Sequence, residues 1–256
     1  RWQAPEFDIL ALSYQPNHII AVWPQHQVLG LPLEQIKIDS ARMLASVVFE
    51  PDTKLAVART SFETDDLVMA SDSGWKMGIG KLHLSTRQHP GVDFAHDVIF
   101  DAKSVDPTMA VLNTLDPTGQ LPKTIEGLFL DMTLGFDAPW DRIAVEQGAP
   151  WVTRITINQL DTGWGTLGLG GSGVLEIAAS GEITGELALE FRNWRAVVDL
   201  FVTSGAIDRG LAETIKTGLG LLTGADATSL KTTLTLANGK MSLGPVPLGS
   251  APRVIR

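Results

Sequence analysis

Apolar and polar residues alternate along much of the chain, and this pattern predicts β-strands. Lys54–Phe62 alternates clearly, and Trp75–Ser85 does so until Gly80, where the apolar positions change parity and predict a β-bulge. Glycine-containing turns separate several of these segments, at Asp72-Ser73-Gly74, Ser180-Gly181 and Asn238-Gly239. The chain is therefore expected to be rich in antiparallel hairpins.

The stretch from Gly173 to Gly249 combines two hairpins with the one long helical pattern of the chain. The predicted hairpins are Val174–Ala179 with Ile183–Phe191, and Leu230–Leu236 with Met241–Val246. Between them, Asn193–Leu222 predicts two helices, the first over Trp194–Ser204 and the second with apolar residues at Leu211, Ile215, Leu219 and Leu222. Gly205 is expected to end the first helix, and Asp208 is expected to cap the second.

The remaining segments are predicted mostly as strands, over Phe7–Tyr14, His18–Trp23, Leu33–Ser40, Met43–Phe49, Leu67–Ser71, Val92–Ala102, Thr124–Phe136 and Val152–Ile157. Pro16-Asn17 and Pro51-Asp52 predict turns. A short helix is predicted over Pro107–Asp116, and a loop, or at most one irregular turn, over Asp137–Pro150. About eleven strands and two or three helices indicate a mainly β fold, α+β by helix content, with curved antiparallel sheets and a helical hairpin layer near the C-terminus.

The domain organisation follows from the turn-rich connector Pro117–Pro122. We expect a single β-rich domain over residues 1–256. Two imperfect halves, 1–116 and 123–256, are the alternative, because strand–turn–strand units recur on both sides of the connector.

Composition narrows the class of protein further. Hydrophobic residues make up 44% and charged residues 19% of the chain, which is typical of a globular domain. The formal net charge is −9 and no cluster of Lys or Arg is present, so the sequence argues against a nucleic-acid partner. There is no cysteine, which excludes disulfides, thiol nucleophiles and cysteine-based metal sites. The chain starts at Arg1, and we expect an N-terminal signal or anchor to precede it.

One glycine-rich motif matches a nucleotide-binding fingerprint by its letters. Gly168, Gly170 and Gly173 fit G-x-G-x-x-G, but a dinucleotide site needs a helix directly after the loop, and Val174–Ile177 predicts a strand. A glycine-rich β-turn or bulge is the favoured interpretation.

Other chemical motifs also fail in their context. Ser73 and Lys76 fit S-x-x-K, and Lys216-Thr217-Gly218 fits K-T-G, but the first lies in a predicted turn and the second in a predicted helix. His83, His89 and His96 fall on one hairpin and allow a metal site, although exposed histidines are the simpler interpretation. Two acidic pairs, Asp65-Asp66 and Asp137/Asp141, are interpreted as turn residues. No catalytic, cofactor-binding or metal-binding residue is therefore predicted, no cofactor is expected, and the ligand-binding residues stay unknown.

The tryptophans are numerous, seven against one tyrosine. Trp140, Trp151 and Trp164 lie near strand ends, where each is expected either to pack in the core or to border a cleft or membrane-facing rim.

Several segments resemble a known bacterial family. They are Ser13–His18, Val22-Trp23-Pro24, Ser73-Gly74-Trp75 and Leu243–Gly249, and they are similar to the alphaproteobacterial proteins grouped as domain of unknown function 2125. The order of strands, helices and turns in residues 173–249 also resembles the β-rich modules of AsmA-like envelope proteins. That likeness implies a periplasmic domain associated with the inner membrane, and a role with lipid.

These observations lead to three functional hypotheses. The first is a non-enzymatic periplasmic envelope domain that binds or handles lipid in an apolar groove, because many strands carry apolar residues on both parities. The second is an accessory or scaffold subunit that binds an inner-membrane protein complex. The third is an enzyme, which the sequence disfavours because no catalytic motif fits its context.

Overall fold

The computed structural model describes residues 1–223 and 227–255, apart from the side chains of residues 145, 222 and 223. Within these residues, one open sheet holds every strand, and all of its strand pairs are antiparallel. This arrangement confirms the predicted mainly β fold with a helical layer near the C-terminus.

The strands, in chain order, are β1 (Trp2–Gln3), β2 (Asp8–Leu12), β3 (Gln15–Val22), β4 (His26–Gly30), β5 (Gln35–Asp39), β6 (Arg42–Phe49), β7 (Val57–Ser71), β8 (Lys76–Gln88), β9 (Ala95–Asp106), β10 (Ile125–Phe136), β11 (Val152–Trp164), β12 (Leu167–Ile177), β13 (Ile183–Arg192), β14 (Ser229–Ala237), β15 (Lys240–Leu243) and β16 (Val246–Ser250). The helices are α1 (Met109–Leu115), α2 (Arg142–Gln147), α3 (Trp194–Thr203) and α4 (Arg209–Thr223).

From β7 to β16 the sheet is a meander, in which each strand pairs with the next one along the chain. The long strand β7 is a branch point, because one of its edges pairs with β6 through its first half and with β5 through its second half. Strands β3 and β2 continue the first branch, and β4 and β1 continue the second. Strand β9 pairs with β10 across the connector at residues 117–122, so the sheet runs without interruption from one side of it to the other.

Asp66, Gly80 and Ser104 form a line of irregular backbone across β7, β8 and β9. Asp66 and Ser104 have positive φ angles of 50° and 53°, and the ladders skip their pairing with Gly80 without any change of register. The backbone irregularity expected at Gly80 is therefore present. However, all three strands share it, and none of them has an extra residue relative to its neighbours. The alternation of side chains between the two faces of the sheet starts anew at this line. In β8, apolar residues therefore occupy odd-numbered positions before Gly80 and even-numbered positions after it.

The two faces of the sheet differ sharply in polarity. Residues paired across neighbouring strands lie on the same face, so the registers define the rows of side chains. One row of the apolar face crosses nine strands through Met43, Thr64, Leu82, Ala102, Leu128, Thr162, Leu169, Phe191 and Leu230. The next row of this face contains Phe62, Leu84, Phe100, Leu130 and Leu160.

The opposite face, the polar face, carries mainly charged and hydroxyl side chains. Its rows include Arg59, Arg87, Asp97, Thr133 and Thr156, and next to them Ser46, Ser61, Ser85, Ile99 and Asp131. The side chain of Gln27, from the second branch, reaches Sδ of Met43 on the apolar face, so both branches contribute to that face. Apolar residues at odd and at even sequence positions therefore lie mostly on the same face of the sheet.

Helices α3 and α4 cover the apolar face at its C-terminal end. Their core consists of Trp194, Val198, Ala212, Ile215 and Leu219 packed on Leu230 and Val246 of the sheet. The Asp208 carboxylate accepts a hydrogen bond from the Leu211 amide at 2.9 Å, and Gly205 ends α3 with a φ of 75°, as predicted. Leu222, expected on the same helical face, lies outside the described side chains.

Several sequence-based boundaries are wrong for identifiable reasons. The first turn lies at Ser13-Tyr14, and Pro16 is within β3, in the part between Gln15 and Ile19 that is left out of the pairing with β2, where a missing N–H is tolerated. The two strands predicted over 54–62 and 67–71 form one strand, β7, because Asp66 interrupts the alternation and not the pairing. Asp65-Asp66 is therefore in a strand.

Further differences concern elements that were missed or misplaced. Strand β4 was not predicted, and the loop expected over 137–150 contains α2, whose first amides bond to the Asp141 carboxylate. Strand β9 starts at Ala95, because Phe94 has a φ of 54° and lies outside the ladder. The glycines at 168–173 lie inside β12 and form no turn.

Candidate functional site

The central part of the apolar face is the main candidate for a binding surface. Between the helices at one end and the N-terminal residues at the other, Leu84, Phe100, Leu130 and Leu160 are only half-buried. Apolar residues in a closed core would be almost fully buried. This band, which we call the central band, therefore presents apolar side chains that the described chain covers only in part.

The area of the whole molecule agrees with an incompletely covered sheet. The accessible surface of the described structure is 14914 Å². A compact monomer of this mass is expected to expose about 11,000 Å². The difference indicates that a large part of the sheet is left without a second layer.

An apolar cavity of about 240 Å³ lies between the helices and the apolar face. Every described side chain that lines it is apolar, with Phe191, Leu230, Leu243 and Leu248 from the sheet side and Trp194, Val197, Val198, Phe201, Ala206, Ile207, Ile215 and Leu219 from the helical side. Cavities of this kind stay dry and accept apolar ligands. The helical spacing in the sequence predicted the helices but gave no indication of the space beneath them.

Polar contacts hold the two helices above this cavity. The indole N–H of Trp194 and the guanidinium of Arg195 both donate to the Ala227 carbonyl, at 3.1 and 2.7 Å. Nζ of Lys216 donates to the Asp199 carboxylate at 2.6 Å and so joins α4 to α3. The Lys216-Thr217-Gly218 motif thus lies in a helix, as expected, and its lysine has a structural contact.

Aromatic side chains border the other end of the apolar face. The rings of Trp2, Phe7, Trp23 and Phe62 form a chain with centroid distances of 5.3, 5.3 and 6.3 Å. Edge-to-face contacts of this kind add to the stabilisation from burial. Trp2 and Phe7 therefore contact the end of this face through Trp23, and their side chains stay 43% and 37% exposed.

A second aromatic group contains the one buried histidine among the described residues. His96 lies on the apolar face, 7% exposed, with its ring centroid 6.1 Å from that of Phe136, and Phe136 in turn contacts Trp140. Burial lowers the pKa of His96, and the neighbouring Asp97 carboxylate opposes this shift in part. His96 is therefore neutral at physiological pH and serves as a packing residue.

The polar face carries a separate cleft of about 840 Å³, which we call the polar cleft. Its walls include Arg59, Arg87, His89 and Asp97, and serine side chains from β6, β7 and β8 form its floor. The Asp97 carboxylate accepts hydrogen bonds from His89 at 2.6 Å, Thr133 at 2.9 Å and Arg87 at 3.0 Å. Burial alone would raise the pKa of Asp97, but these three donors lower it below its usual value.

The structure separates the three histidines that a metal site would require. His83 lies beside Glu63 on the polar face, His89 contacts Asp97, and His96 is on the apolar face. Among the described residues no group of three or more potential ligands comes together. Asp141 caps α2 and the Asp137 carboxylate accepts from the Trp151 amide, so this acidic pair is structural.

Ser73 of the S-x-x-K motif lies in the β7–β8 turn, as expected. Its hydroxyl donates to the Glu34 carboxylate, which also accepts from Ser71 and Trp75. The hydrogen bonds from Ser71 and Trp75 lower the pKa of Glu34. This network joins the turn to the second branch of the sheet.

The tryptophans singled out near strand ends have different environments. Trp164 is buried and its indole N–H donates to the Pro122 carbonyl at 2.6 Å, whereas Trp140 packs on Phe136. Trp151 is 41% exposed beside the loop that carries Asp137. Core packing therefore accounts for the positions of Trp164 and Trp140.

Comparison with known proteins gives one match. The family model described as "Uncharacterized protein conserved in bacteria (DUF2125)" matches residues 1–252, in agreement with the family resemblance of the sequence. No curated protein and no solved structure matches the chain, so the likeness to AsmA-like modules stays a prediction. None of the helices in the described residues has the length and apolar character needed to cross a membrane.

Proposed function

We propose that this chain, which belongs to the bacterial DUF2125 family, is a non-enzymatic domain that binds lipid on its apolar face. The observation that carries the proposal is the central band. Its side chains Leu84, Phe100, Leu130 and Leu160 form a continuous row across four neighbouring strands and stay partly exposed.

The hydrophobic effect supplies the driving force for such binding. Burial of apolar surface is favourable by about 25 cal/mol per Å². An acyl chain that covers about 400 Å² of the band would therefore gain on the order of 10 kcal/mol before the entropic costs of association are subtracted. Because no second layer covers the middle of the sheet, this free energy is gained only when another molecule covers the central band.

The cavity beneath α3 and α4 extends the proposed site. Its lining is wholly apolar, and its volume of about 240 Å³ is too small for a complete lipid. It fits the end of one acyl chain, with the rest of the chain along the sheet. The helices would then hold the chain end while the central band contacts the remaining methylene groups.

Adjacent residues in β8 offer a matched test, because Leu84 lies on the apolar face and Ser85 on the polar face. Protein purified from bacterial membranes is expected to carry lipid in native mass spectrometry and to bind a fluorescent fatty acid. Leu84→Gln should weaken fatty-acid binding at least about tenfold, since it places an amide in the apolar band, whereas Ser85→Gln should leave binding unchanged.

Thermal denaturation of both variants checks that each is folded. A lipid-free preparation that binds no fatty acid would refute the proposal. Equal loss of binding in the two variants would also contradict it, because binding would then not depend on the apolar face.

A second candidate function, an accessory subunit of an inner-membrane protein complex, is favoured by one edge of the sheet. Among the residues that the structure describes, strand β2 pairs only with β3, and Ile9 and Leu10 are 65% and 50% exposed. An open edge strand with apolar side chains is a template for a strand of another protein. Pull-down from solubilised inner membrane should then recover a stoichiometric partner that the double variant Ile9→Lys/Leu10→Lys loses.

The expected periplasmic location and the absence of catalysis stay predictions. Fractionation of cells that express the full-length protein with a C-terminal tag tests the first. A pocket with a substrate bound beside convergent titratable groups would contradict the second.

A further inference from the structure

Two arginines face each other directly on the polar face. Arg59 of β7 pairs with Arg87 of β8 in the antiparallel ladder, which places their Cβ atoms about 5 Å apart. Like charges directly opposite each other destabilise a pair of strands. The arrangement therefore needs a compensating negative charge.

Negatively charged groups among the described residues compensate the positive charge of this arginine pair only in part. Arg87 donates to Oδ2 of Asp97 at 3.0 Å, but Oδ1 of that carboxylate already accepts from His89 and Thr133. No salt bridge in residues 1–223 and 227–255 involves Arg59. Arg59 thus lies opposite Arg87 in the ladder with no carboxylate of its own among these residues.

Hydrogen-bond donors surround the two arginines in the polar cleft. Ser46, Ser61 and Ser85 follow one another on the floor of the cleft, with 3.0 Å between the hydroxyl oxygens of Ser46 and Ser61. His18 lies at the β3 end of the same row as Arg59, and its Nε2 is buried without a hydrogen-bond partner. A buried polar atom without a partner indicates that one is missing.

The negative groups of the cleft lie on its other side. Asp97 and Asp131 belong to β9 and β10, and Asp131 accepts a hydrogen bond from Asn158 at 3.0 Å. The cleft is therefore positive over β7 and β8 and negative over β9 and β10. The positive charge on this side of the cleft contrasts with the formal net charge of −9 of the whole chain.

We propose that the positive side of the polar cleft binds a phosphate group, with Arg59 and Arg87 as its charged ligands and the floor serines as hydroxyl donors. Paired guanidinium groups match the oxygen geometry of phosphate and form charge-assisted hydrogen bonds with it. The cleft volume of about 840 Å³ leaves room for a larger molecule that carries the phosphate. Because the site is on the opposite face from the central band, it does not depend on the proposed lipid binding.

Thermal denaturation with inorganic phosphate at low ionic strength tests the proposal. Phosphate should raise the melting temperature of the wild type, since a ligand that binds only the folded state stabilises it. Arg59→Gln should lose this response and, without phosphate, should melt no lower than the wild type, because it removes the like-charge contact. Arg42→Gln, on the same face but paired with Glu63 at 3.0 Å, is the control and should keep the response.

Vesicle flotation separates the two sources of the phosphate. Vesicles of phosphatidylglycerol that float the wild type but not Arg59→Gln would identify a lipid headgroup as the ligand, whereas binding of inorganic phosphate without such a difference would identify a soluble phosphate compound. Absence of any phosphate-dependent stabilisation of the wild type would overturn the proposal, and so would an equal response of Arg59→Gln and Arg42→Gln.

Discussion

Gly170 and Gly173 are three residues apart in β12, and their surroundings are very different. Gly173 has a φ of 153°, and a Cβ atom there would lie 2.1 Å from the Glu186 carbonyl oxygen of β13. At Gly170 the nearest atom to a new Cβ would be the Leu160 carbonyl oxygen, at 3.6 Å, which is an ordinary contact. Gly173 therefore permits the close approach of β12 and β13.

We predict that Gly173→Ala lowers the free energy of unfolding by roughly 2–4 kcal/mol, because the methyl group collides with backbone that cannot move alone. Gly170→Ala is the matched control and should change it by less than about 1 kcal/mol. Urea denaturation followed by tryptophan fluorescence measures both. Similar values for the two variants would show that the close approach at Gly173 has no energetic consequence.

At the scale of single residues, local rules made some roles predictable. Asp208 and Gly205 were identified because a helix cap and a helix stop depend only on neighbouring residues. The role of Gly173 could not be deduced, because its contact with Glu186 depends on the pairing of two strands. The arginine pair in the polar cleft was missed for the same reason, since residues 59 and 87 meet only in the register of β7 and β8.

At the scale of elements, α4 illustrates how one face of a helix carries most of its energetic contribution. Leu219 is completely buried against the sheet, and Leu221, two residues later, is 84% exposed. Leu219→Ala is expected to lower the free energy of unfolding by about 2–5 kcal/mol, the usual cost of a cavity in a packed core. Leu221→Ala should change it by no more than about 0.5 kcal/mol.

The two leucine variants are compared by chemical denaturation followed by tryptophan fluorescence, to which Trp194 of the helical layer contributes. A small effect of Leu219→Ala would mean that α4 is not firmly packed on the sheet in solution. That result would also weaken the proposed role of the helices in enclosing an acyl chain.

Elements with strong local signals were predictable, and those that depend on pairing were not. The hairpin turn at Asn238-Gly239 was found because both residues adopt positive φ angles, 54° and 70°, which asparagine and glycine favour. Pro16-Asn17 gave an equally strong turn signal but lies in a strand, because both residues fall in the irregular part of β3 that does not pair with β2, where the proline needs no ladder hydrogen bond. Helix α2 has only six residues, which is too short for a recognisable apolar period.

At the scale of the whole molecule, the sheet should be extended in solution. Thirteen strands follow one another along its longest path, and at about 4.8 Å per strand this path measures roughly 58 Å. A compact domain of this length has a radius of gyration of about 18 Å. We predict a value above about 20 Å by small-angle X-ray scattering of the monomer, with the mass checked by light scattering. A monomer near 18 Å would mean that the sheet folds onto itself and covers the central band.

The apolar face itself could not be deduced from the sequence, although every residue on it was visible there. A single reset of alternation at Asp66, Gly80 and Ser104 exchanges the parity of the apolar positions in three strands at once. A second change lies in β11, where Asn158 is an extra residue between Ile157, which pairs with Met132, and Gln159, which pairs with Asp131. Counting parity along one strand therefore gives the wrong face beyond each of these points.

The order of the strands also determines how the molecule can come apart. Beyond β7, each strand in the described part of the chain forms ladders only with its predecessor and successor, so much of the stability comes from neighbour-to-neighbour pairing, as in a repeat protein. The last strands are also joined by α3 and α4, which pack on Leu230 of β14 and Val246 of β16, so this end is expected to open as one unit with its helical layer. Strand β7 is different, because among the described residues it alone joins three neighbours, and its opening would release both N-terminal branches together.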